Sequence, residues 1–286
     1  MTERVMWYGL EKDGKRYRFR KLMEDPSGVL RDLRNGKTPE VENIPADVIP
    51  DLREITLKFA RERIREEFTA DQAIIKQVQF RKELDRIINL YYERILGFGI
   101  YFVEDAVKKD PCRLFREGAG RSVPSYLERI LNEGRNLCDL RSVMVDSIRS
   151  SIMGIMPNTC SFAGPDIASE LLERGGGLRR LAHLSSGAIQ VMGAEKALFK
   201  HTSTGSPSPK HGLIFKYAGI SSLPKEYRGK ISRAVANKLA ICIRADMVGG
   251  SVDAEEMKNR ISREIERIRE NRGRKKRVNS SRAHSA

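Results

Sequence analysis

ADQAIIKQVQFRKELDRIINLYYERIL, residues 70–96, is the stretch whose reading decides the fold. Ile74, Ile75, Val78, Leu84, Ile87, Ile88, Tyr91 and Ile95 recur at mostly helical spacing, and charged residues dominate the opposite side. That pattern draws one apolar stripe down an amphipathic helix. Ahead of it, Leu52, Ile55, Phe59, Ile64 and Phe68 step by three to five and predict a helix from Asp51. Thr69 to Gln72 has the order of a capping box and predicts a break between the two. A further long helix is expected over 124–155, with its stripe on Leu127, Ile130, Leu131, Leu137, Leu140, Met144, Ile148 and Ile152. Between them Asp110 to Val123, with Pro111, Gly118 and Gly120, reads as a turn region. Two long stripes joined by a turn predict an antiparallel coiled-coil hairpin, with two ordinary core helices as the plainer alternative.

Outward from the hairpin, the chain divides into 1–50, 51–156, 157–250 and 251–286. The first part opens on a predicted β-hairpin. Asp13-Gly14 suits a tight turn, and Tyr17 and Phe19 alternate with Arg16, Arg18 and Arg20. Pro26, Pro39, Pro45 and Pro50 then read as loop. Fifty residues build only a small domain that leans on another surface. After Pro157 glycine becomes frequent, including Gly175-Gly176-Gly177, and short helices are expected. A last helix is predicted from Asp253 to Glu270. Asn271 to Ala286 has no acidic residue and is expected to be disordered, either binding phosphates or solubilising the chain. The fold class is therefore mostly α: a small α/β N-terminal domain, a helical hairpin, an all-α domain and a basic tail.

Of 286 residues, 40% are hydrophobic and 32% charged, with 53 Lys+Arg against 38 Asp+Glu. A net charge of +15 points to a polyanion, nucleic acid before an anionic membrane surface. No apolar run is long enough to span a bilayer, and Met1 to Leu10 lacks the pattern of a signal peptide. Cys112, Cys138, Cys160 and Cys242 lie far apart and read as buried or incidental thiols of a reducing compartment. His183, His201, His211 and His284 form no metal-ligand pair. Residues 205–210 lack the spacing of a phosphate loop, and Gly175 to Gly177 lacks that of a dinucleotide site. With no catalytic or cofactor signature, the chain is read as a non-enzyme that takes no cofactor and no metal.

The charge is concentrated. From Lys196 to Arg244 there are ten basic residues and one acid, Glu226. Arg228, Lys230, Arg233 and Lys238 come at a helix start and its first turns. Arg233 and Asn237, four apart, share a face, so charge and amide can meet a backbone together. Phe199 and Tyr217 either stack on unpaired bases or pack in a core.

Two ordered blocks carry a family likeness. Gly193-Ala194-Glu195-Lys196-Ala197-Leu198-Phe199-Lys200, followed by Pro209-Lys210-His211-Gly212-Leu213-Ile214-Phe215, resembles the signature of the Nop-domain family. Residues Arg228 to Leu239 resemble its second block. Asp71 to Ile75 and Leu84 to Arg94 are similar to its helical part, and Pro157-Asn158 to the start of its domain. The likeness covers about 51–246 and lies nearest the archaeal scaffolds of box C/D guide ribonucleoproteins, relatives of the eukaryotic nucleolar Nop proteins. It implies an N-terminal domain that holds the methyltransferase fibrillarin and a coiled coil that pairs two copies into a homodimer. It also implies a Nop domain that grips box C/D guide RNA together with a ribosomal-protein-like kink-turn binder. Glu195, Lys196, Ala197, Leu198, Phe199 and Lys200 would approach the RNA stem and its guide-target junction, and Lys210 and His211 would contact RNA or a partner. Arg228, Lys230, Arg233, Asn237 and Lys238 would approach RNA backbone or the kink-turn binder. Reversing charge at Arg228 and Lys230 is then expected to abolish assembly and leave the fold intact. A cytoplasmic, archaeal-type setting is implied. The alternative function is a splicing-type Nop factor that recruits no methyltransferase.

Overall fold

The computed structural model describes residues 3–42, 51–102, 110–118 and 122–283. Pro45 and Pro50 of the expected loop, Gly120 of the expected turn and the last three residues of the tail lie outside them. The chain is mostly helical, with one small sheet, and forms two compact units, Met1–Thr69 and Ala70–Ala286.

In the first unit, β1 (Glu3–Met6), β2 (Gly9–Lys12) and β3 (Lys15–Arg18) form an antiparallel meander. Asp13 and Gly14, at φ 49° and 76°, supply the two left-handed positions that join Lys12 to Lys15. Tyr8, Phe19 and Leu22 are buried with Val29 and Ile55 in a core of their own. The region expected as loop contains a helix, α1 (Pro26–Arg34). Asp25 caps it by accepting a hydrogen bond from Gly28 N at 2.8 Å, and Pro26 stands at its first turn, where a missing N–H costs nothing. The helix α2 (Leu52–Glu67) packs with this unit. Ile55 enters the core, Ser27 donates to Glu62 at 2.6 Å, and Lys58 donates to the Met23 carbonyl. Ile64 and Phe68, expected on its packing stripe, are exposed.

The second unit begins at the expected break. Helices α3 (Ala70–Leu96) and α5 (Ser125–Ile155) run antiparallel. Gln77 meets Ser147 at 3.3 Å, Asp85 meets Arg141 at 2.5 Å, and Tyr91 donates to the Ile130 carbonyl at 3.1 Å. Ile74, Ile75, Val78, Leu84, Ile88 and Ile95 are buried as the periodicity requires. Ile87 and Leu140 are not: both face outward, with Phe80, Leu90 and Val143. The expected turn region contains α4 (Pro111–Gly118), which packs on α5. Phe115 lies flat against Gly134, where a Cβ would meet its ring at 2.7 Å, so this mid-helix glycine is a packing requirement. The reading of four free thiols is corrected here. Cys112 and Cys138 form a disulfide across α4 and α5, because the fold brings their Cα atoms to 5.7 Å. Cys160 and Cys242 are free, and burial pushes their thiols up to about 12 and about 11.

The base of the hairpin shares one core with the C-terminal bundle. Ile74, Val78, Ile148, Ile152 and Met156 pack with α6 (Pro157–Ala163), α7 (Pro165–Gly175), α8 (Leu178–Ala182) and α9 (Ser186–Val191). The exposed α10 (Glu195–Thr204) follows. The centre is α11 (Lys225–Val248), which buries Ile231, Val235, Leu239, Cys242 and Ile243. Its buried Asp246 reaches across to the start of α6. One carboxylate oxygen accepts from Asn158 N and Nδ2, both at 2.8 Å; the other accepts from Thr159 N at 3.0 Å and Oγ1 at 2.6 Å. Asn158 also donates to the Gly250 carbonyl at 2.9 Å and accepts from Val252 N at 3.0 Å. The last helix, α12 (Ala254–Ala283), seats Ile261, Ile265 and Ile268 and continues through the stretch expected to be disordered. Arg and Lys are good helix formers, and cations suit a helix C-terminus. No described helix is long and apolar enough to cross a membrane.

Asp246→Ala strands the donors at Asn158 and Thr159 and should lower unfolding free energy by about 3 kcal/mol in a urea titration. Reduction of Cys112–Cys138, or Cys138→Ser, should lower stability by about 2–4 kcal/mol, read as a lower Tm with thiol reductant.

Candidate nucleic-acid interface

The chain leaves the bundle after α9 and returns at Leu213. Gly212 N donates to the Gln190 carbonyl at 3.0 Å, Leu213 N to the Met192 carbonyl at 2.7 Å, and Gln190 Nε2 to the Lys210 carbonyl at 2.7 Å. These bonds close the base of an excursion over 193–211. Gly212 is obligatory there, since a Cβ would lie 2.1 Å from the Met192 carbonyl oxygen. The excursion carries α10, which buries none of its residues. Phe199 is 75% exposed, and Leu198 lies beside it on the surface. A helix this short does not earn its structure by burial, so local bonds must hold it. Glu195 accepts from Gly193 N at 2.7 Å and pairs with Arg174 at 3.2 Å. Burial pushes its carboxyl up, but these backbone bonds and Arg174 hold it below the usual range. Thr202, Ser203 and Thr204 donate back to carbonyls one turn earlier, and Gly205 ends the helix at φ 69°.

The two sequence blocks meet beneath this excursion. His211 stacks on Phe215 at 4.4 Å, and Arg228 lies 5.4 Å from the same ring. Lys210 packs its stem beside Gly229. Burial, then the Arg228 charge, holds the His211 imidazole below its ordinary value. Arg228 is not a free cation: it donates to the Leu223 carbonyl at 2.8 Å and the Ser221 carbonyl at 2.9 Å. Its guanidinium is spent on holding a loop, so reversing its charge removes these two bonds along with any contact to a partner. Lys230 is tied to Glu264 of α12 at 2.7 Å. Arg233 and Asn237 are exposed on one face of α11, and Lys238 is half-buried. Lys196, Ala197 and Lys200 are exposed on α10. Of the two aromatics weighed as stacking surfaces, Tyr217 is core: it is buried beside Phe162, and burial pushes its phenol up to about 12. The sequence reading passed over Arg174 and Asp246, whose roles depend on partners far along the chain. Among the described residues no cluster of three His, Cys, Asp or Glu could hold a metal.

Residues 123–270, just over half of the chain, match the family model described as Nop: snoRNA binding domain, fibrillarin. Over 241 residues the chain is 34% identical to an uncharacterized NOP5 family protein of Methanocaldococcus jannaschii, covering 78% of this chain and 56% of that one. Nucleolar protein 58 of Mus musculus is 32% identical over 139 residues, covering 48% of this chain and 26% of that one. The chain thus spans just over half of the archaeal relative and about a quarter of the mouse one. Among solved structures, a chain from the crystal structure of a fibrillarin/Nop5p complex superposes with a TM-score of 0.52 at 25% identity, over 93% of this chain and 100% of that one.

Phe199→Ala should leave the unfolding free energy from a urea titration within about 0.5 kcal/mol of the parent, as exposed substitutions do. Arg228→Ala should cost about 1–3 kcal/mol through two carbonyls left without a donor. Equal effects at the two positions would contradict this division between recognition and structure.

Proposed function

The chain belongs to the Nop family, and from that membership we propose that it is the core scaffold of a box C/D guide ribonucleoprotein. It works by geometry and carries out no chemistry itself. The C-terminal bundle holds guide RNA together with a kink-turn-binding protein, and the N-terminal unit recruits fibrillarin for 2'-O-methylation at the nucleotide the guide selects. The observation that carries the reading is α10, a helix with no buried face that presents Leu198, Phe199 and two lysines outward. An apolar pair left exposed and flanked by cations marks a place for a partner. Lys196 and Lys200 supply phosphate neutralisation, and Phe199 a ring for an unpaired base or a protein pocket. Arg233 and Asn237 extend the contact along α11.

Fibrillarin recruitment is supported by the structural likeness to a chain of the fibrillarin/Nop5p complex, which covers 93% of this chain. Homodimerisation is supported by the outward apolar side chains of the hairpin. Phe80 and Ile87 lie seven residues apart on α3, and Leu140 and Val143 lie on the neighbouring stretch of α5. The setting is the cytoplasm of an archaeal-type cell. The splicing-type alternative differs in one respect, the absence of a methyltransferase.

Reconstitution tests this. With kink-turn protein, fibrillarin and box C/D RNA, the chain should join only after the kink-turn protein has bound, retain fibrillarin, and support guided methylation. Phe199→Ala with Lys200→Ala should abolish assembly. Assembly without fibrillarin retention would select the splicing-type reading, and tight specific RNA binding by the chain alone would sink both.

A further inference from the structure

Two depressions in the second unit differ in how their charge is balanced. The larger, about 770 Å³, lies between the hairpin base and α7. Its cations are all engaged: Arg81 with Asp85 and Glu170, Arg141 with Asp85, Arg149 with Asp166, and Lys216 with Glu170. The smaller, about 430 Å³, lies at the α7–α8 turn and is lined by Arg174, Gly175, Arg179, Arg180, His183 and Leu184. It has no carboxylate in its wall. Among the described residues Arg179 and Arg180 make no ion pair, and both are exposed.

The turn beneath these arginines is rigidly built. Asp71 of α3 accepts from Leu178 N at 3.0 Å, and Gly177, at φ 120°, leaves the room Asp71 needs. The carbonyls at the end of α8, which would repel an anion, are already satisfied. Arg244 donates to Ala182 O at 3.2 Å and Leu184 O at 3.3 Å, and His183 Nδ1–H donates to Arg179 O at 2.7 Å. What faces solvent is therefore the guanidiniums of Arg179 and Arg180, which have no carboxylate partner among the described residues, while Arg174 beside them is paired with Glu195.

We propose that this depression is a second phosphate-contact site, which takes the RNA backbone as it continues past α10. The inference rests on the RNA-binding reading above. The two sites adjoin because Arg174, in the wall of the depression, pairs with Glu195 at the start of α10. An acidic protein surface fits less well. Protein interfaces centre on buried apolar anchors, and Leu184 is the sole large apolar side chain in this wall. Phosphodiesters require only charge and donors, which two unpaired guanidiniums provide.

The test is the salt dependence of full-chain binding to box C/D RNA preloaded with kink-turn protein. Arg179→Ala with Arg180→Ala should make the log–log slope shallower by about 1.5, the release expected for two phosphate contacts. Arg179→Lys with Arg180→Lys should largely restore it, and both variants should keep the parent's urea midpoint. A parental slope in the alanine variant overturns the second site while leaving α10 as the interface, which Phe199→Ala reports independently. Weaker binding of the alanine variant to kink-turn protein without RNA would assign the arginines to a protein and overturn it too. Failure of the parent chain to join the RNA at all overturns this site and the scaffold reading together.

Discussion

The carboxylate of Asp246 is the constraint on which the C-terminal bundle depends. It receives four hydrogen bonds from Asn158 and Thr159, the first residues after Pro157. The first N–H groups of a helix have no acceptor within it; Pro157 has none to offer, and those of Asn158 and Thr159 need a partner from outside α6. Asp246 provides one from the far end of α11. Asn158 then passes the register on to Gly250 and Val252, where the chain turns toward α12. Three helices are thus indexed to one side chain. Because α5 runs into α6 through buried Met156, the hairpin is indexed with them. The surfaces that α10 and α11 present inherit their positions from this junction.

A second organising rule is where charge is cancelled and where it is left. Around the hairpin base arginines and carboxylates neutralise one another, which favours a fixed arrangement over ligand capture. Lys230 and Arg228 are likewise consumed, one by Glu264 and one by loop carbonyls. Among the described residues, cations without a carboxylate partner remain on α10, on the outer face of α11 and at the α7–α8 turn. The net charge of +15 therefore overstates the binding surface, and its distribution defines it.

Much of this was legible in the sequence, for physical reasons. Long stripes at helical spacing are hard to satisfy any other way, so α3 and α5 were readable, as was the Asp13-Gly14 turn; of α11 only the basic start was read, and its 24 residues exceed the short helices expected there. The short helices α1 and α4 were missed because each begins at a proline, Pro26 and Pro111, which read as loop although proline suits a first helical turn. The Cys112–Cys138 bond was missed because a separation of 26 residues says nothing about contact. Arg228 read as free charge because composition does not record which carbonyls lie within reach. Ile87 and Leu140 fit the stripe by number yet sit just off the packing line. The exposed position of Phe199 had no local signature: only the closing of the chain at Gln190 and Leu213 puts it outside the core.

That closing has a consequence for what a change inside the excursion costs the bundle. The excursion is tied at its neck by bonds whose acceptors are main-chain carbonyls, with Gly212 as its most exacting position. Entropy of closure grows slowly with length, about 0.6 kcal/mol per doubling. Between the neck residues, the element can lengthen, shorten or change composition at small thermodynamic cost to the bundle. The exposed helix is in effect mounted on a socket of main-chain bonds, so a change within it is insulated from the core beneath.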